Sequence, residues 1–161
     1  MCLYLNQKAT IEVKKRLEEK GKISVWKFVE RHLNRLPYAL ISRYYVDFQW
    51  HPGENVSNRG QIGSSIQSIR LTKNEKKIGR VNEGFHFFLK RPKQAYWFLP
   101  GPDKEVILIR CIGKLEDFVA AGYGNQAVFA KVTLPKSEYN KALVPKPKKL
   151  KKKSDTIKKT K

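Results

Sequence analysis

The stretch EVILIRCIGK, residues 105–114, is the feature that most limits the fold. It is the most continuous apolar run in the chain, rich in β-branched residues and ended by glycine, and it reads as a central strand buried on both faces. A strand of that kind needs partners, and the rest of the sequence offers them. KISVWKFVERHLNRL admits a helix capped by Ser24 with Val25, Phe28, Val29, Leu33 and Leu36 inward, but its β-rich start favours a strand over residues 23–29 followed by an irregular link. ALISRYYVDFQW has the aromatic and β-branched content of another. NEGFHFFLKRP predicts a strand entered through Gly84 and stopped by Pro92, and QAVFAKVTLP predicts a final strand. Between them, HPGENVSNRG is turn chemistry throughout, GQIGSSIQSIRLT reads as a loop leading into a weak strand, and PGPDK as a tight turn.

Helical signals are fewer. KATIEVKKRLEEKG predicts a short helix with Thr10 as N-cap, Val13 and Leu17 on one face, and Gly21 at its end. LEDFVAAG reads as a short helix or turn, KQAYWFL as one helical turn or more, and KSEYNKAL as a last helix with Tyr139 and Leu143 inward. The expected fold class is therefore α+β: a mainly antiparallel, partly curled sheet with a few short helices. Strands and helices do not alternate as a doubly wound fold requires. Residues 1–144 are expected to form a single domain, and 145–161 a flexible tail.

Charge restricts the partners. The chain has 34 Lys and Arg against 14 Asp and Glu, a formal net charge of +20. The segment KPKKLKKKSDTIKKTK, residues 146–161, holds nine lysines and one aspartate, so it accounts for +8 and the other 145 residues for +12. The body is basic in its own right. Such a surface attracts polyanions through a salt-sensitive and largely sequence-blind force, so nucleic acid or an acidic protein surface is the expected partner. Within the tail, Lys146, Lys148, Lys149, Lys151, Lys152, Lys153, Lys158, Lys159 and Lys161 are the candidate nucleic-acid-binding residues, since so polar a segment cannot fold alone. A solubilising or localising tail has the same composition.

Two cysteines, Cys2 and Cys111, make no disulfide framework and no Cys/His metal spacing, which fits a reduced intracellular compartment, with nucleus or virion as settings. No metal and no cofactor are expected. No apolar run reaches the roughly 18–20 residues that span a bilayer. Cys111 reads as a small core residue. An N-terminal cysteine nucleophile at Cys2 would need a larger layered scaffold.

His86 is the leading candidate for a reactive group, because an imidazole titrates near neutrality. In a strand it shares a face with Phe88 and Lys90, opposite Phe85, Phe87 and Leu89. A half-buried histidine bonded to backbone is the commoner origin of such a residue. The loop WHPGENVSNRG gathers polar groups, and its Arg59 is able to grip a phosphate or carboxylate. The glycines of RGQIGSS match neither dinucleotide nor triphosphate loops. Tyr44, Tyr45, Tyr96 and Trp97 are candidates to stack on bases.

The succession WKFV, FQWHPGE, GFHFF and VILIRCIG resembles small uncharacterised domains of phages, bacteria and large DNA viruses, over residues 23–135. The same order is faintly similar to the compact ADP-ribosyltransferase-like fold of rifampin-modifying enzymes. That likeness implies a nicotinamide-type cleft at His86 and a phosphate at Arg59. The chain departs from the transferase pattern in lacking an early His-Gly-Thr element and a clear late carboxylate, leaving Glu116, Asp117 and Glu138 as the only stand-ins. Two readings follow. The first is a non-enzymatic basic protein that binds polyanions or serves as a structural component of a large assembly such as a nucleoprotein particle or virion. The second is a small transferase-like or nucleotide-binding enzyme using His86 and Arg59.

Overall fold

The computed structural model describes residues 3–34, 38–42, 48–57, 80–81, 84–93 and 103–145. These form a mixed helix-and-sheet fold: eleven strands and two α-helices in the order β1 (Leu3–Tyr4), α1 (Gln7–Lys20), β2 (Lys22–His32), β3 (Ala39–Ile41), β4 (Gln49–Trp50), β5 (Gly53–Val56), β6 (Arg80–Val81), β7 (Phe85–Phe88), β8 (Lys104–Lys114), β9 (Phe118–Gly122), β10 (Gln126–Phe129), β11 (Lys131–Leu134) and α2 (Lys136–Leu143). The main sheet is open and runs β5–β11–β8–β2–β7–β10–β9, with β3 added to β2 and β4 to β3. Every described pairing is antiparallel. β1 and β6 form a separate two-stranded ribbon.

β2 and β8 are its spine, paired in register from Lys22↔Lys114 to His32↔Lys104. β2 is longer than its apolar segment predicts, because the register carries the polar Glu30–His32 end against β8 and β3. Alternation then assigns the faces. Ile23, Val25 and Val29 of β2, with Ile109 and Cys111 of β8, are buried in the main core. Trp26, Phe28, Leu108 and Ile112 point the other way and stay partly exposed, and Arg110 is exposed. β8 is therefore central, as its sequence predicts, but it is buried on one face and only partly covered on the other.

The core face is closed by α1. Val13 and Leu17 bury against the sheet as expected, but the helix begins three residues before Thr10. Asn6 is the N-cap, its side chain accepting the Ala9 N–H at 3.0 Å. Thr10 instead ties the helix to β9, accepting the Ala121 N–H at 3.0 Å. Gly21 ends the helix at φ 70°. Behind α1 the aromatic side chains interlock: Phe48, Trp50 and Phe85 meet with ring centroids 4.8–5.2 Å apart, and Phe87 reaches Phe129 at 6.1 Å. These spacings are those of favourable tilted and edge-to-face pairs.

The glycine at the mouth of β7 is required by its surroundings. Gly84 has φ 84°, and a Cβ there would lie 2.6 Å from Val128 Cγ1 and 3.0 Å from the Phe129 carbonyl oxygen. The segment expected as one final strand is two, β10 and β11, broken at Ala130, whose N–H bonds the Asp117 carbonyl at 2.8 Å. LEDFVAAG divides into a 3-10 turn over Leu115–Asp117 and the edge strand β9. HPGENVSNRG contains β5 as well as turns. Asn55 is fully buried and accepts the His51 N–H at 3.1 Å while donating to the carbonyls of His51 (2.8 Å) and Gly53 (3.0 Å), which pins the turn between β4 and β5.

Candidate functional site

The half-covered face of the sheet carries the most suggestive grouping. Trp26 faces Arg110 of β8 on one side and Phe88 of β7 on the other. With neighbouring strands about 4.8 Å apart, this row of cation, indole and phenyl ring extends about 10 Å across the sheet. Phe28 lies two residues along β2 on the same face, its ring 6.0 Å from that of Phe88 at 74°. α2 brings the second set of groups. Glu138 accepts from Arg110 Nη2 at 3.3 Å and stands 3.7 Å from Lys141 Nζ. Together Trp26, Leu108, Arg91, Arg110, Glu138 and Lys141 line a groove of about 510 Å³. Its charge is three cations to one carboxylate, and exposed Lys90 and Lys93 flank Arg91 in the turn after β7.

The position of α2 follows from its anchor. Arg31 is 1% exposed and donates to the Ala142 and Val144 carbonyls, both at 2.7 Å, while its other terminal nitrogen pairs with Glu105. A guanidinium at the last turn of a helix satisfies carbonyls that have no partner within the helix, and it complements the negative end of the helix dipole. Arg31 therefore locks the helix that carries Glu138 and Lys141 to the two central strands.

His86 stands on the same face as Trp26 and Phe88, directly opposite Val128 of β10. Both ring nitrogens are shielded from solvent and meet no hydrogen-bond partner among the described residues. Burial, reinforced by the Lys27 ammonium, lowers its pKa to about 4, so the imidazole is neutral at physiological pH. Arg59 lies outside the described residues, as do the tail lysines and the stacking candidates Tyr44, Tyr45, Tyr96 and Trp97. The stand-in carboxylates are dispersed. Glu116 pairs with Lys114 at 3.6 Å, Asp117 with Lys131 at 3.8 Å, and Glu138 lies in the groove. Burial raises the Asp117 carboxyl from its ordinary value, outweighing the attraction of Lys131.

Beneath the sheet is a polar residue that sequence reasoning missed. Lys27 is on the core side of β2, 8% exposed, with its Nζ donating to the His86 carbonyl at 3.0 Å and 5.7 Å from the centre of the Phe87 ring. Burial lowers its pKa to about 8, and the same burial pushes the Cys111 thiol up to about 12. Cys111 is thus an inert core thiol. Lys27 lines neither this groove nor the second one, a concavity of about 630 Å³ beside the start of α1 that includes exposed Ile11 and Tyr123. Among the described residues no group of three or more His, Cys, Asp or Glu is placed to hold a metal, and no helix is long and apolar enough to cross a membrane.

Set against known proteins, the chain matches no family model, no curated protein and no solved structure. A functional reading accordingly rests on its own residues.

Proposed function

We propose that the protein binds nucleic acid, gripping the phosphate backbone with the cations of its folded body and extending that grip with its lysine-rich C-terminal segment. The observation that carries this reading is the groove over β2 and β8, where Arg91, Arg110 and Lys141 converge beside a partly exposed indole. Each phosphate neutralised by a cation releases condensed counterions, so affinity gained this way falls steeply with salt. The +12 that remains outside residues 146–161 supports a contribution from the body as well as from the tail. Binding of this kind needs no catalytic group, and it suits a protein held within a nucleoprotein assembly.

The test is fluorescence anisotropy of a labelled oligonucleotide with the full chain and with a chain lacking residues 146–161, titrated from low to physiological salt. The expected result is a steep loss of affinity with salt for the full chain, and weaker but still salt-dependent binding after the deletion. Affinity that stays flat with salt, or that is untouched by the deletion, would contradict the proposal.

A further inference from the structure

Phosphate contacts alone leave the indole of Trp26 in the groove unexplained. Single-stranded nucleic acid is held where cations track its backbone and aromatic rings receive its bases, whereas a duplex hides its bases' faces inside the stack. Both elements occur here on one sheet face. Trp26 is set between Phe88 and Arg110 by strand register, and it lines the groove together with Leu108, Arg91 and Lys141. Strand pairing fixes the backbone from which these side chains project, so a base would meet groups whose spacing is already set. The Glu138 carboxylate stands beside Arg110 and Lys141, in the place that a phosphate would take.

We infer that this groove is a binding site for single-stranded nucleic acid, in which an unpaired base stacks on Trp26 and the adjoining phosphate displaces Glu138 from Arg110 and Lys141. The inference deepens the nucleic-acid-binding reading and rests on it. It assigns separate work to separate residues: Trp26 distinguishes unpaired from paired strands, while the cations respond to charge alone. Glu138 holds the two cations ready and competes with the incoming phosphate, so its neutralisation strengthens binding.

The experiment compares the full chain with Trp26→Leu, Trp26→Phe and Glu138→Gln, each confirmed as folded by a cooperative thermal transition. The probes are a labelled single strand as DNA and as RNA, the matching duplex, and heparin as a polyanion without bases. Wild type is expected to prefer both single strands to the duplex. Trp26→Leu is expected to weaken single-strand binding about tenfold or more while leaving heparin unchanged. Trp26→Phe, which keeps a ring on the sheet, should retain the preference, and Glu138→Gln should raise affinity for every probe. A preference confined to RNA would show that the site also uses the ribose hydroxyl, and stacking on Trp26 would still account for the rest. Equal binding of strand, duplex and heparin that Trp26→Leu does not alter would overturn the inference and leave the charge-based reading standing. Failure to bind any of the probes would overturn both.

Discussion

Lys27 shows how far one residue can depart from its pattern. Its position on β2 alternates with Ile23, Val25 and Val29, so the strand places an ammonium where the fold calls for a hydrocarbon. One hydrogen bond to the His86 carbonyl and the face of Phe87 offset part of the desolvation. Its pKa of about 8 lies below the ordinary 10.5, so the unfolded chain holds the proton more tightly. The resulting cost, on the order of 3 kcal/mol, is fully present below pH 8 and fades as pH rises toward 10.5. Lys27→Met, which keeps the length without the charge, is expected to raise the unfolding free energy at pH 7 by about 1–3 kcal/mol. In urea titrations this advantage should shrink by pH 10. An advantage that does not change with pH would show that burial of charge is not its origin. Sequence reading passed over Lys27 because both faces of KISVWKFV are apolar, with Trp26 and Phe28 on one and Ile23, Val25 and Val29 on the other. Only register with β7 and β8 reveals which face it takes.

Among elements, the strands of the spine were legible where apolar content and alternation agreed. Arg110 interrupts EVILIRCIGK, and that central charge was the available sign that β8 has a face only partly covered. Trp26 and Phe28 share parity in KISVWKFV, opposite Val25 and Val29, which was the corresponding sign for β2. His86 does face away from Phe85 and Phe87, as alternation demands. Other boundaries depend on distant partners. β11 exists as a separate strand because it pairs β5 from Lys131↔Val56 to Leu134↔Gly53. The helix start depends on Asn6, whose cap is a local hydrogen bond with no apolar periodicity to announce it. α2 is an eight-residue helix, too short to be stable alone, and it owes its place to Arg31. Arg31→Ala is expected to cost about 3–5 kcal/mol in chemical denaturation, because Glu105 and two carbonyls lose a buried partner. Arg31→Lys should recover only part of it, since an ammonium cannot reproduce the fork of a guanidinium. Stability unchanged by Arg31→Ala would show that the helix is held by its apolar contacts alone.

The whole molecule joins an open sheet, one face covered by α1, to a charge that exceeds what its tail supplies. Fold class was legible because strand signals outnumber helical ones and no regular alternation links them. The groove was not, since Trp26, Arg91, Arg110 and Lys141 come from four separate segments that only the sheet and α2 bring together. Counterion release makes the body's share of binding measurable. The most direct measurement is the slope of log affinity against log salt for a single strand, comparing the full chain with its Arg91→Ala, Arg110→Ala, Lys141→Ala triple variant. Two phosphate contacts removed, one shared by Arg110 and Lys141 and one at Arg91, at about 0.7 per contact on a single strand, should make the slope shallower by about 1.4. A slope identical in the two proteins would place all of the electrostatic binding elsewhere and contradict the account.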